Sequence, residues 1–171
     1  MTARILFRHD VATFLVGAAR AVPRTETGGI LVGHREDGIL VVTHALIVPA
    51  PIPAGDRYVR LDEPAGLLLR DFLDQREESD PAGYVGEWHS HPGASGPSAI
   101  DRRVIHDLTL AVGDGLALIV VRPNHNPRLV GRVGTIHRGG VRVFKAEIVV
   151  FEPHRNLHQT GRGTKERTEQ P

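Results

Sequence analysis

The stretch Gly86-Glu87-Trp88-His89-Ser90-His91-Pro92, followed by Pro97-Ser98-Ala99-Ile100-Asp101, limits the possible folds more than any other. Tyr84 and Val85 lead into it as a strand, and Asp101 to Val112 beyond it has helical periodicity. Side chains two apart on a strand share a face, so His89 and His91 present two imidazoles together. Pro92 and the small residues Gly93, Ala94, Ser95 and Gly96 end the strand and turn the chain. Asp101 then falls in the first helical turn, where its carboxylate can return toward the histidines. Two imidazoles and one carboxylate, with a fourth position open, form the ligand set of a catalytic zinc.

Each half of this motif also has a plainer meaning. A lone His-x-His in a chain with ten histidines describes the solvated face of an edge strand. Ser98-x-x-Asp101 after a proline describes a helix capping box with Ser98 as N-cap. Capping and ligation are compatible, because a first-turn residue can point inward while its neighbours cap. The two halves together, at this spacing, favour a metal.

Composition narrows the chemistry. The chain has 171 residues, enough for one domain with a full core. Hydrophobic residues at 40% and charged residues at 24% are ordinary for a soluble globular protein. A net charge of +1 implies no general attraction to nucleic acid or to an anionic membrane. The absence of cysteine excludes disulfides, thiol catalysis and thiolate-bound zinc, leaving histidine and carboxylate as the strong ligands. No signal-peptide-like or transmembrane-length apolar run is visible, so a cytoplasmic location is expected.

His-Ser-His-Pro followed by Ser-x-x-Asp resembles the signature of the JAMM (MPN+, or JAB-domain) metalloproteases. Glu26-Thr27-Gly28-Gly29-Ile30-Leu31-Val32-Gly33 is similar to the family's upstream element, a glutamate before a Gly-rich strand. The resemblance spans most of the chain up to Pro153. It departs at one point: five residues separate Pro92 from Ser98, one fewer than the family pattern, which implies a tighter loop before Asp101. The resemblance implies an α+β fold of the MPN/JAB type (cytidine-deaminase-like), with a mixed β-sheet flanked by helices. It also implies zinc held by His89, His91 and Asp101, with Glu26 as general base. The substrate class implied is a ubiquitin-like or sulfur-carrier protein, cut after its C-terminus in one step without a covalent intermediate.

Read in order, Arg4 to Arg8 is a strand and His9 to Ala21 an amphipathic helix, with Asp10 as its cap and Pro23 enforcing its end. Ile30 to His34 and Ile39 to Val48 form a hairpin about Glu36-Asp37-Gly38. Pro49 to Gly55 is loop, and Pro64 to Arg76 is a helix burying Leu67, Leu68, Phe72 and Leu69. Ser98 to Val112 is the third helix, and Leu116 to Val121 a strand buried on both faces. Leu129 to His137 and Val141 to Phe151 form a second hairpin about Gly139-Gly140. The domain is therefore expected over residues 1–153, with a disordered polar tail over 154–171.

The remaining site residues keep alternatives open. Glu87, two residues before His89, competes as ligand or base, and Glu26 is preferred on the resemblance alone. Ser98 either donates to a developing oxyanion or caps the helix. Gly28 and Gly29 either leave room for a substrate backbone along the strand edge or mark a bulge. Trp88 reads as core, Ser90 as structural, His106 as a surface or core histidine, and Arg102 and Arg103 as a solvated helix face. Two other functions fit the same residues: a non-catalytic scaffold of this fold, and a zinc hydrolase of a small amide or amino-acid conjugate. Val112-Gly113-Asp114-Gly115-Leu116 leaves no room for the substrate-gripping insertion of the family's deubiquitinating members, so recognition must come from elsewhere.

Overall fold

The computed structural model describes residues 3–49, 58, 62–93 and 95–152. The Pro49–Arg60 loop, save Pro49 and Tyr58, and the polar tail lie outside the described residues. The elements run β1 (Ala3–Arg8), α1 (His9–Ala21), β2 (Gly28–Glu36), β3 (Ile39–Ile47), α2 (Asp62–Asp74), β4 (Gly83–Ser90), α3 (Ala99–Val112), β5 (Leu116–Arg122), β6 (Arg128–His137) and β7 (Gly140–Phe151).

Local chemistry explains most boundaries. Asp37 and Gly38 both take positive φ, the conformation a two-residue hairpin loop requires, and they join β2 to β3. In the second hairpin His137 pairs with Gly140, so the loop is Arg138-Gly139 and Gly140 already belongs to β7. The cap expected of Asp10 is not formed: Arg8 holds the N-cap position and offers no side-chain bond. Asp10 lies inside the first turn, where it pairs with Arg8 and accepts the Val11 N–H. A carboxylate there still favours the helix through its macrodipole. Helix α2 starts two residues earlier than expected, and its buried position is Ala65; Leu67 faces solvent at 51% exposure.

The sheet is mixed, as expected, but it closes. Strand order is β1-β3-β2-β4-β5-β6-β7, and β7 pairs in parallel with β1 to complete a barrel. Strands β1/β3 and β4/β5 are also parallel; the other pairs are antiparallel. Leu31, Trp88 and Ile119 join Ile5, Phe7, Val42 and Leu15 of α1 in the main core. Their neighbours in sequence point the other way. Ile30 packs with Val48 and Ala65 of α2, and Leu118 packs with Leu116 and Ile105 of α3. Helix α1 therefore covers one face of the sheet, and α2 and α3 cover the other. No helix among the described residues is long and apolar enough to cross a membrane.

Candidate metal centre

Strand β4 runs between β2 and β5, so its end is held from both sides. The Ser90 N–H donates to the Thr27 carbonyl at 2.7 Å, and the His91 N–H to the Val121 carbonyl at 2.9 Å. His91 lies one residue beyond the strand, yet these bonds keep the backbone extended. The two imidazoles consequently share a side, with their Nε2 atoms 3.0 Å apart. Asp101 arrives from the first turn of α3, its carboxylate oxygens 3.4 Å from His89 Nε2 and 3.6 Å from His91 Nε2. The shorter loop before α3 thus still delivers this carboxylate to both rings.

Glu26 comes from the segment before β2. Thr27 and Ser90 tie that segment to β4, since the Thr27 N–H also donates to Ser90 Oγ. Glu26 Oε1 stands 3.6 Å from His91 Nε2, and ligand atoms of Glu26, His89 and His91 all lie within 4.8 Å of one another. Glu26 Oε2 accepts the Tyr58 N–H at 2.7 Å. His89, His91 and Asp101 are each nearly buried, at 8% exposure, at the base of an open cavity of about 950 Å³.

The donor set fits a tetrahedral ion. Ligand atoms about 2.0–2.1 Å from one such ion lie about 3.3–3.4 Å from each other. The nearest contacts lie close to that figure: 3.0 Å between the two imidazole Nε2 atoms, 3.4 Å from His89 Nε2 to Asp101 Oδ1 and 3.6 Å from His91 Nε2 to Asp101 Oδ2. His91 is also oriented from behind, its Nδ1 within 3.3 Å of the Ser95 carbonyl, the outer-sphere contact that leaves Nε2 for a metal. Burial alone would raise the Asp101 carboxyl. The hydrogen bond from His89, the Ser98 N–H and the nearby imidazole charge outweigh it and hold the group well below the usual carboxylate range.

Other expectations fall into place around this centre. Ser98 caps α3 through a full capping box: its Oγ accepts the Asp101 N–H, and Asp101 Oδ2 accepts the Ser98 N–H. Glu87 lines the cavity but its Oε1 accepts the Tyr84 hydroxyl at 3.1 Å. Trp88 is fully buried, and its indole N–H reaches the Leu46 carbonyl. His106 is on the surface beside Asp107.

The strand-edge role expected of Gly28 and Gly29 is corrected. Strand β2 pairs with β3 on one side and β4 on the other, so these glycines border no free edge. A Cβ on Gly29 would come within 1.8 Å of the Leu46 carbonyl oxygen, and one on Gly28 within 2.5 Å of that of Trp88. Their smallness serves close packing of the backbone. The bulges of β2 fall at Leu31–Gly33 instead. Sequence reasoning did not find Tyr58, because it contributes a main-chain N–H, which any residue but proline carries.

The family model for prokaryotic homologs of the JAB domain matches residues 9–132, well over half of the chain. The chain belongs to this family. The matched region of the JAB domain holds Glu26, His89, His91, Ser98 and Asp101. A solution structure of protein DSY2949 from Desulfitobacterium hafniense is similar in fold, with a TM-score of 0.65 at 20% identity over 92% of this chain and 99% of that one. No curated protein matches the chain.

Proposed function

We propose that this JAB domain is a zinc-dependent hydrolase, acting in the cytoplasm, that cleaves the peptide or isopeptide bond after the C-terminus of a ubiquitin-like or sulfur-carrier protein. JAB domains include metalloisopeptidases, and the α+β plan would then be of the cytidine-deaminase-like kind. The observation that carries the reading is the convergence of Glu26, His89 and His91, with Asp101 against both imidazoles.

In this reading His89 Nε2, His91 Nε2 and an Asp101 oxygen hold the metal. Bound there, zinc supplies water activation and a Lewis acid for a carbonyl. Glu26 Oε1 takes the proton of the attacking water and returns it to the leaving amine nitrogen. The Tyr58 N–H on Oε2 fixes which oxygen is turned inward. Ser98 Oγ already accepts the Asp101 N–H, so its own proton remains to steady an oxyanion, a contribution of about 3 kcal/mol for one good donor. The α3 wall of the cavity, with Ile100 and Val112 at 50% and 57% exposure, offers apolar surface to a protein substrate. Helix α3 passes directly to β5 through Gly113-Asp114-Gly115, so no inserted element grips the substrate there.

The test is metal analysis joined to cleavage. Purified protein is expected to hold stoichiometric zinc and to cut ubiquitin-like fusions encoded near its gene, with the scissile bond read by mass spectrometry and activity lost reversibly to a chelator. Glu26→Gln should keep the zinc and lose about 10²–10⁴-fold in turnover. Protein that neither carries nor takes up zinc overturns the reading in favour of a scaffold; cleavage of small amino-acid conjugates alone overturns the substrate class.

A further inference from the structure

Beside α3, the outer face of the barrel gathers four cations in two like-charged pairs. Arg122 of β5 stands directly opposite Arg128 of β6, and Arg132 of β6 directly opposite Lys145 of β7. Val121 and Val133, next to Arg122 and Arg132, point into the main core, so these arginines point away from it. Like charges directly opposite across a ladder destabilise a sheet. Here nothing offsets them: none of the four has an ion-pair partner among the described residues. Glu147, two residues beyond Lys145, is turned to Arg4, and Asp107 serves Arg103 and His106. The Nε atoms of Arg122 and Arg132 are shielded from water and bond to no acceptor.

The patch adjoins the candidate centre. Arg122 follows Val121, whose carbonyl holds the His91 N–H. Its layout indicates the kind of ligand. Arg128 and Arg132 are four residues apart on one strand, about 13 Å at ~3.3 Å per residue, so the two cation pairs make two separate charged spots on the strand face. The four positions include no aromatic ring on which a base could stack, and a chain of net charge +1 lacks the broad positive field of nucleic-acid binders. Two separated cation pairs on the outer face of the barrel are complementary in charge to two carboxylate clusters on a folded protein. We infer that Arg122, Arg128, Arg132 and Lys145 form a docking surface for the acidic face of the protein whose C-terminal tail enters the centre. This rests on the proposed hydrolase for the identity of the partner, but the docking itself is measurable without turnover.

The decisive variant is the exposed pair Arg128→Glu with Lys145→Glu, which sets an opposite charge across from Arg122 and from Arg132. The probes are an acidic ubiquitin-fold protein ending in Gly-Gly, fused to a reporter, and a short fluorogenic peptide ending in Gly-Gly. The variant is expected to melt at or above the wild-type temperature, because repulsion becomes attraction. It should bind the acidic protein about tenfold more weakly or worse and lose the salt dependence seen in the wild type, while kcat on the short peptide stays unchanged. Unchanged affinity, a lower melting temperature, or wild-type preference for single-stranded RNA or phosphatidylserine vesicles over the acidic protein would overturn the inference. The two readings fail separately. Patch-dependent binding without cleavage by the wild type sinks the hydrolase alone; equal kcat/KM of wild type and variant on the protein substrate sinks the docking surface alone.

Discussion

Thr27 and Ser90 exchange two hydrogen bonds, one from each backbone N–H, to the Ser90 hydroxyl and to the Thr27 carbonyl. That clasp joins residues far apart in sequence and sets Glu26 beside His91. Ser90→Ala removes one bond and leaves a partly buried N–H without its acceptor, a loss of about 1–3 kcal/mol. The expected phenotype is retained zinc with turnover about 10–100-fold lower, the range typical of outer-sphere changes. Zinc content and kcat on the same preparation check it.

Metal removal separates ligands from base through stability. An ion that binds only the folded chain adds about 2.7 kcal/mol at a hundredfold excess over its Kd. Wild type and Glu26→Gln should both show a zinc-dependent rise in melting temperature, and His89→Ala should show little. A rise in His89→Ala equal to the wild type would remove His89 from the ligand set.

Gly134 sets how closely α3 lies on the barrel. A Cβ there would stand 2.0 Å from Thr109 Oγ1 and 3.2 Å from the Ile105 carbonyl oxygen. Gly134→Ala should destabilise by about 1–3 kcal/mol through overpacking. By lifting the helix that carries Asp101, it should also weaken zinc affinity. Thr109→Ala in the same chain should restore part of both losses, as denaturant titration and competition with a chromogenic chelator would show.

His44, packed edge-on against the Phe72 ring, has its pKa lowered from 6.5, first by burial and then by the Arg76 and Arg8 charges. The unfolded chain therefore binds this proton more readily than the folded one. The contribution to stability is fully present above pH 6.5 and is lost as pH falls from there through the folded value. His44→Phe should flatten this acid-side loss relative to wild type, in urea melts of chelated protein across that window.

The centre was legible where its logic is local. His89, His91, Ser98 and Asp101 fall within thirteen consecutive residues, and strand alternation followed by a helical first turn is enough to bring them together. Glu26 was reached only through resemblance, because the Ser90 hydroxyl that helps seat it comes from a distant part of the chain and the Tyr58 contact is a main-chain N–H, so sequence spacing reveals neither pairing. Barrel closure was illegible for a related reason. It depends on β1 meeting β7 from opposite ends of the domain, and the apolar alternation of each strand is the same in an open sheet. Leu67 misled because α2 packs through Ala65, Leu68 and Leu69, a stripe that leaves Leu67 on the solvent side.

Asp101 caps α3 with the same carboxylate that faces the two imidazoles. Fraying of that helix end and disassembly of the centre are consequently one opening event rather than two. Metal occupancy of the site should slow amide hydrogen exchange across the first turn of α3, making its backbone a reporter of whether the candidate centre is assembled.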